Sequence, residues 1–229
     1  MKKNLLLSLL LAIFSPYISA QKLNDMVNMG KYEKANSELA APQKGVKRVV
    51  FIGNSITEGW VNSHPDFFTS NNYIGRGISG QTSPQLLLRF RQDVVALKPV
   101  AVVINVGTND IAENTGNYSP GFTLGNIKSM VEIAKANNIK VILSSVLPAD
   151  GFSWNKSITD ATAKIEALNK EIQVYAKEQK LAYIDYNSSL RDDKGAMKAG
   201  YSKDGVHPNK EAYTIMESVA KAVIDKVVK

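Results

Sequence analysis

Phe51-Ile52-Gly53-Asn54-Ser55-Ile56-Thr57 places a serine directly after an apolar run. Far downstream, Asp204-Gly205-Val206-His207-Pro208 holds one of only two histidines in the chain. A serine hydroxyl is nearly inert at neutral pH until a base takes its proton, and His207 has the chemistry to take it. Asp204, three residues earlier, can accept a hydrogen bond from Nδ1–H, fix the tautomer and stabilise the imidazolium formed during attack. Between these blocks lie Gly80 and Gly107-Thr108-Asn109-Asp110. Ser55 N–H, Gly80 N–H and the Asn109 amide could donate to an oxyanion, each such donor lowering the barrier by roughly 3 kcal/mol.

Each piece has a plainer explanation when taken singly. Serine caps helices constantly, and Thr-Asn-Asp after a strand is ordinary turn composition. Asp110 reads as a structural residue. Four pieces with four separate chemical jobs, in one chain, favour catalysis. His64 is the rival histidine, but its place before Pro65 suits a pocket rim better than a base.

Positioning these residues requires a scaffold. Arg48–Ile52, Val100–Val106, Lys140–Val146 and Leu181–Ile184 read as strands, with Asn72–Ile74 a weaker fifth. Their nearly continuous β-branched character suits a sheet covered on both faces. Helical stripes fall between them. One is Leu86, Leu87, Phe90, Val94 and Leu97, with Pro84 in the first turn and Pro99 beyond the end. Another is Ile165, Leu168, Ile172 and Tyr175, capped by Thr159 or Asp160. The last is Met216, Val219, Val223 and Val227, capped by Asn209. Strands alternating with helices predict an α/β sandwich with a parallel sheet. Ligands then bind beyond the carboxyl ends of the strands, where Ser55 and Asn109 both fall.

Residues 1–20 read as a signal peptide: Lys2 and Lys3, an apolar stretch from Leu5 to Ile13, and Ser19-Ala20 before the expected cut. Residues 21–229 are then expected to form a single domain, entered through a polar arm that reaches to about residue 45. The localisation expected is export, either periplasmic or secreted, with no stable membrane insertion. No cysteine is present, so neither a disulfide nor a cysteine-linked lipid anchor is available. The formal charge of +7 is dispersed, with no basic block and no interleaved aromatics, and nucleic acid is not an expected partner.

Gly75-Arg76-Gly77-Ile78-Ser79-Gly80 fits the G-x-G-x-x-G pattern of dinucleotide sites. Only Tyr73-Ile74 precedes it as an apolar run, and the acid downstream, Asp93, falls inside a helical stripe. No nucleotide cofactor is expected. No histidine pair or H-E-x-x-H spacing suggests a metal.

Taken together, the four blocks resemble the SGNH hydrolases, also called GDSL-type esterases and lipases, from about Lys47 to the C-terminus. The resemblance implies a flavodoxin-like three-layer α/β/α sandwich with a central five-stranded parallel sheet. It also implies a Ser55–His207–Asp204 triad, an oxyanion hole of Ser55, Gly80 and Asn109, and no cofactor. Asn54 stands where the eponymous motif has aspartate. That variant is similar to the branch of platelet-activating-factor acetylhydrolases and bacterial acetylesterases. The expected activity is hydrolysis of short-chain esters, acetyl above all, on small molecules or carbohydrates. Longer-chain lysophospholipase or thioesterase activity, or a silent glycan-binding module, are the alternatives. Trp60, His64, Trp154 and Tyr201 are the expected substrate walls, because an aromatic face can stack on a sugar.

Overall fold

Period-two alternation along the strands sends successive side chains into two separate cores. Val50, Ile52, Val102, Ile104, Val141 and Leu143 face one, and Val49, Phe51, Ala101, Val103, Ile142 and Ile184 face the other. Both faces are therefore apolar and both must be covered by helices. This architecture is that of a computed structural model describing residues 20–229. Apart from Ala20, the expected signal peptide lies outside the described residues.

The described residues open with α1 (Ala20–Val27) and α2 (Glu33–Ser37), which form the arm. Then follow β1 (Val49–Gly53), α3 (Ser55–Ser63), α4 (Pro65–Ser70), β2 (Tyr73–Gly77), α5 (Ser83–Asp93), β3 (Ala101–Ile104), α6 (Thr108–Ile111) and α7 (Pro120–Ala136). The remainder is β4 (Lys140–Ser144), α8 (Ala161–Glu178), β5 (Ala182–Ile184), α9 (Tyr186–Leu190) and α10 (Lys210–Val227). All pairings are parallel, in the order β2-β1-β3-β4-β5. Helices α5, α7 and α8 cover one face; α3, α4, α9 and α10 cover the other. The three-layer α/β/α sandwich with five parallel strands is thus present.

The strand order reverses direction between β1 and β3, which lie side by side. Crossovers leave that point on opposite faces, opening a crevice at the carboxyl edge. Ser55 leaves β1 there and Asn109 leaves β3 there. Among the described residues, no helix is long and apolar enough to cross a membrane.

The G-x-G-x-x-G run begins inside an edge strand rather than after one. A Cβ on Gly75 would lie 2.1 Å from Val61 Cγ2, and one on Gly77 would lie 2.3 Å from Glu58 N. These glycines let β2 press against α3, a packing role.

Beneath the carboxyl edge sits Arg89, 0 % exposed. Its Nη1 donates to Asp93 Oδ2 (2.9 Å), its Nη2 to Gly53 O (2.8 Å) and its Nε to Gln81 Oε1 (2.6 Å). One guanidinium therefore ties the end of β1 to the loop after β2. Removing it strands a buried carboxylate and two acceptors. The Arg89→Met variant is expected to lose about 3–5 kcal/mol of stability, read by urea denaturation. Pairing it with Asp93→Leu should recover part of that loss, because no unpaired charge remains. A loss under about 1 kcal/mol would show that the pair is dispensable.

Candidate active site

The junction that carries Ser55 starts at Gly53, and only Asn54 separates strand from helix. A Cβ there would meet Thr57 Oγ1 at 2.1 Å and Asn105 O at 2.9 Å, so only glycine fits. Asn54 caps α3: its Oδ1 accepts from Ile56 N at 3.0 Å. Its Nδ2 is buried without a hydrogen-bond partner among the described residues. An aspartate would perform the same cap without that orphaned donor, which is the structural consequence of the departure seen in the sequence. Ser55 is the first residue of α3, so its N–H has no intrahelical acceptor.

Ser55 Oγ lies 2.9 Å from His207 Nε2, and His207 Nδ1 lies 2.7 Å from Asp204 Oδ2. A chain separation of 152 residues is thereby closed to hydrogen-bond range. Asp204 also builds the loop that carries the histidine. Its Oδ1 accepts from His207 N (2.8 Å), Val206 N (3.0 Å) and Ser202 Oγ (3.0 Å). Gly205, at φ 80°, supplies the left-handed residue that the turn needs. Partial burial by itself would raise the Asp204 carboxyl. The hydrogen bonds from His207 and Val206, with the imidazole charge, outweigh it and hold the group well below the usual carboxylate range.

The oxyanion candidates come from neighbouring loops stitched to the same point. Ile78 N donates to Gly53 O at 3.1 Å, binding the glycine loop to the serine loop. Asn109 is 4 % exposed, and its Nδ2 donates to Gln81 O at 2.9 Å. That leaves the second amide hydrogen for a ligand. Gly80 stands at φ 78° with open space around it, so glycine is needed for backbone conformation and not for packing. Asp110 is structural, as expected. Its carboxylate accepts from Ser83 N (3.0 Å), Ser83 Oγ (2.5 Å) and Thr123 Oγ1 (3.2 Å), tying α6 to α5 and α7, while burial pushes its carboxyl up.

The expected substrate walls divide. Trp154 is 44 % exposed; its ring centroid lies 6.1 Å from that of His207 and its Nε1 donates to Asn114 Oδ1 at 2.9 Å. It lines an open cavity of about 770 Å³ that begins beside Gly80. Trp60 is instead a core residue, 2 % exposed, stacked between Phe67 and Tyr213 at 5.3 and 5.8 Å. It sits in the middle of α3 and not in a loop. The expectation of a wall is wrong for it because the Ile56-to-Trp60 helical spacing buries it. His64 follows the far end of α3, about 13 Å of helix from Ser55. It is paired through Nδ1 with Glu217 at 2.5 Å, so it is not at the site. Tyr201 packs against the second core and does not line this cavity.

Several participants carry no sequence signal. Asn114 links Trp154 to the glycine loop through Nδ2 to Gly80 O (3.1 Å). Asp25, Met26 and Asn28 of the arm also line the cavity. Ser202, by contrast, was legible in principle, since a serine two residues before an aspartate is a common turn pattern.

Residues 51–215 match the GDSL-like lipase/acylhydrolase family. The chain is 56 % identical to a proposed acylhydrolase from Bacteroides fragilis, covering 89 % of this chain and 98 % of that one, with a TM-score of 0.87. A GDSL-like lipase from Bacteroides thetaiotaomicron is also 56 % identical, covering 87 % and 98 %, with a TM-score of 0.86. An acetylxylan esterase of Xylanibacter ruminicola is 26 % identical over 89 % of this chain, and the chain spans 47 % of that protein's length. With a match over most of the chain and two solved relatives of the same size and fold, the chain belongs to the GDSL-like lipase/acylhydrolase family of ester hydrolases.

Proposed function

We propose that this protein is an exported serine esterase that removes short acyl groups, acetyl above all, from hydroxylated alcohols such as carbohydrates. The observation that carries the reading is the continuous Ser55–His207–Asp204 hydrogen-bond chain at the open edge of the sheet. His207 Nε2 takes the Ser55 proton as Oγ attacks the ester carbonyl. The carbonyl oxygen becomes an oxyanion facing Ser55 N–H, Gly80 N–H and Asn109 Nδ2. His207 then gives its proton to the departing alcohol. Water, deprotonated by the same imidazole, releases the acid from the acyl-enzyme and regenerates Ser55.

The acyl and alcohol preferences rest on one relative and on the lining of the cavity. The relative from Xylanibacter ruminicola is named an acetylxylan esterase. The cavity beside Gly80 is lined mainly by polar side chains with one exposed indole, which suits a polyol better than an alkyl chain. Export rests on residues 1–20 being a signal peptide, with residues 21–229 the mature domain.

Acetyl, butyryl and octanoyl nitrophenyl esters distinguish the acyl readings. The rate is expected to fall steeply with chain length and to drop by about 10⁴-fold or more in Ser55→Ala, with the fold intact by circular dichroism. A rate rising with chain length would point to lipid or thioester substrates. Full hydrolysis by clean Ser55→Ala would defeat the mechanism.

The pH dependence follows from the same geometry. The Asp204 carboxyl is held low in the folded state, so it stays ionised through mild acid. Its contribution to stability is present above the unfolded carboxylate range and is lost only as pH falls through the lowered value. The acid limb of kcat/KM should therefore report one protonation, that of His207, falling tenfold per pH unit while the fold persists. A flat rate from neutral into strong acid would rule out His207 as base.

A further inference from the structure

We propose that the N-terminal arm forms one wall of the subsite for the leaving alcohol, and that this wall selects alcohols without negative charge. The inference rests on the esterase reading above. The cavity beside Gly80 is bounded by Asp25, Met26 and Asn28 of the arm together with Glu113, Asn114 and Trp154.

The arm is gripped by the catalytic layer. Gln81 Nε2 donates to Val27 O (2.5 Å), Gln85 Nε2 to Met26 O (2.6 Å) and Gln92 Nε2 to Met29 O (2.6 Å). Gln81 is the same residue whose carbonyl holds Asn109 and whose side chain holds Arg89. The arm is thus fixed to the loop that carries Gly80. Met26, 57 % exposed, presents an apolar side chain to the opening.

Charge then decides what the cavity admits. The chain carries a formal +7, which on its own would favour anions. Among the described residues the cavity lining reverses that sign: it contains two carboxylates, Asp25 and Glu113, and no lysine or arginine. Glu113 stands at φ 60°, a left-handed conformation that suits glycine or asparagine better. Its Oε1 accepts from Tyr118 N at 3.2 Å, and its other oxygen has no partner among the described residues. An exposed indole with amides from Asn28 and Asn114 suits hydroxyl-rich ligands. A phosphate or carboxylate on the alcohol would meet like charge.

The test compares kcat/KM for two acetate esters, O-acetylated methyl xyloside and O-acetylated methyl glucuronoside, with nitrophenyl acetate as the reference substrate. The neutral sugar is expected to be favoured about tenfold at low salt. Asp25→Asn and Glu113→Gln should each narrow the ratio about threefold, the Coulomb effect of one charge roughly 7 Å away in water, mainly through KM. Asp25→Lys should narrow it further, and raised salt should weaken the preference in the wild type. An unchanged ratio in Asp25→Asn and Asp25→Lys would overturn the role of the arm, whatever Glu113→Gln does. Hydrolysis of nitrophenyl acetate with neither sugar ester accepted would overturn the alcohol subsite and leave the esterase reading standing. No hydrolysis of nitrophenyl acetate would remove the esterase reading itself, and this proposal with it.

Discussion

The carbonyl of Gly53 is the point on which the site depends. It receives Ile78 N from the glycine loop and Nη2 of the buried Arg89, filling both lone pairs of one oxygen. β1 ends at this residue, and α3 begins two residues later with Ser55. Gly53 has no room for a side chain, so the strand-to-helix turn cannot relax outward. Fixing this one peptide fixes the serine, its N–H and the neighbouring glycine loop together. Such rigidity matters because catalytic groups lose much of their effect when displaced by an ångström.

The support beneath that peptide is polar where an apolar core would have been cheaper. Buried Arg89, Asp93 and Gln81 form a network with half-buried Asn36, whose Nδ2 donates to Asp93 Oδ1 at 2.7 Å and whose Oδ1 accepts from Arg76 Nε at 2.8 Å. A hydrophobic cluster of the same volume could match it in stability. It would not specify which loop meets which, because dispersion has no direction. Here the directional bonds carry the arm, the glycine loop and the end of β1 into one register. On the opposite face the aromatic cluster around Trp60 does the simpler work of burial, and Tyr213 OH donates to Ile56 O in α3 at 2.9 Å.

Much of this was legible in the sequence. Continuous apolar runs gave β1, β3, β4 and β5, since strands buried on both faces leave little ambiguity. Ends are less clear: the apolar run predicts a strand over Val100–Val106, but the ladder covers Ala101–Ile104. β2 was barely visible because its glycines serve packing against α3 and lower its strand character. Helix α7 shows no clear stripe, as polar Thr123 and Asn126 stand among its buried residues. The catalytic candidates were legible because each residue type has few alternatives at its task. The walls were not, because aromatic residues serve cores and clefts alike, and Trp60 and Trp154 differ only in what folds over them. The arm was legible only as a polar segment. Its place beside the cavity is set by backbone carbonyls that accept from distant glutamines, which leave no trace in local pattern.

The central claim is that Ser55 is activated by His207 at this edge of the sheet. A fluorophosphonate probe tests it directly, because it reacts only with a serine whose proton has a base to go to. Intact-protein and peptide mass spectrometry should find a single adduct, on the peptide carrying Ser55. It should form quickly in the wild type and be lost in Ser55→Ala and sharply slowed in His207→Ala. An adduct on another residue, or none at all in well-folded protein, would contradict the account.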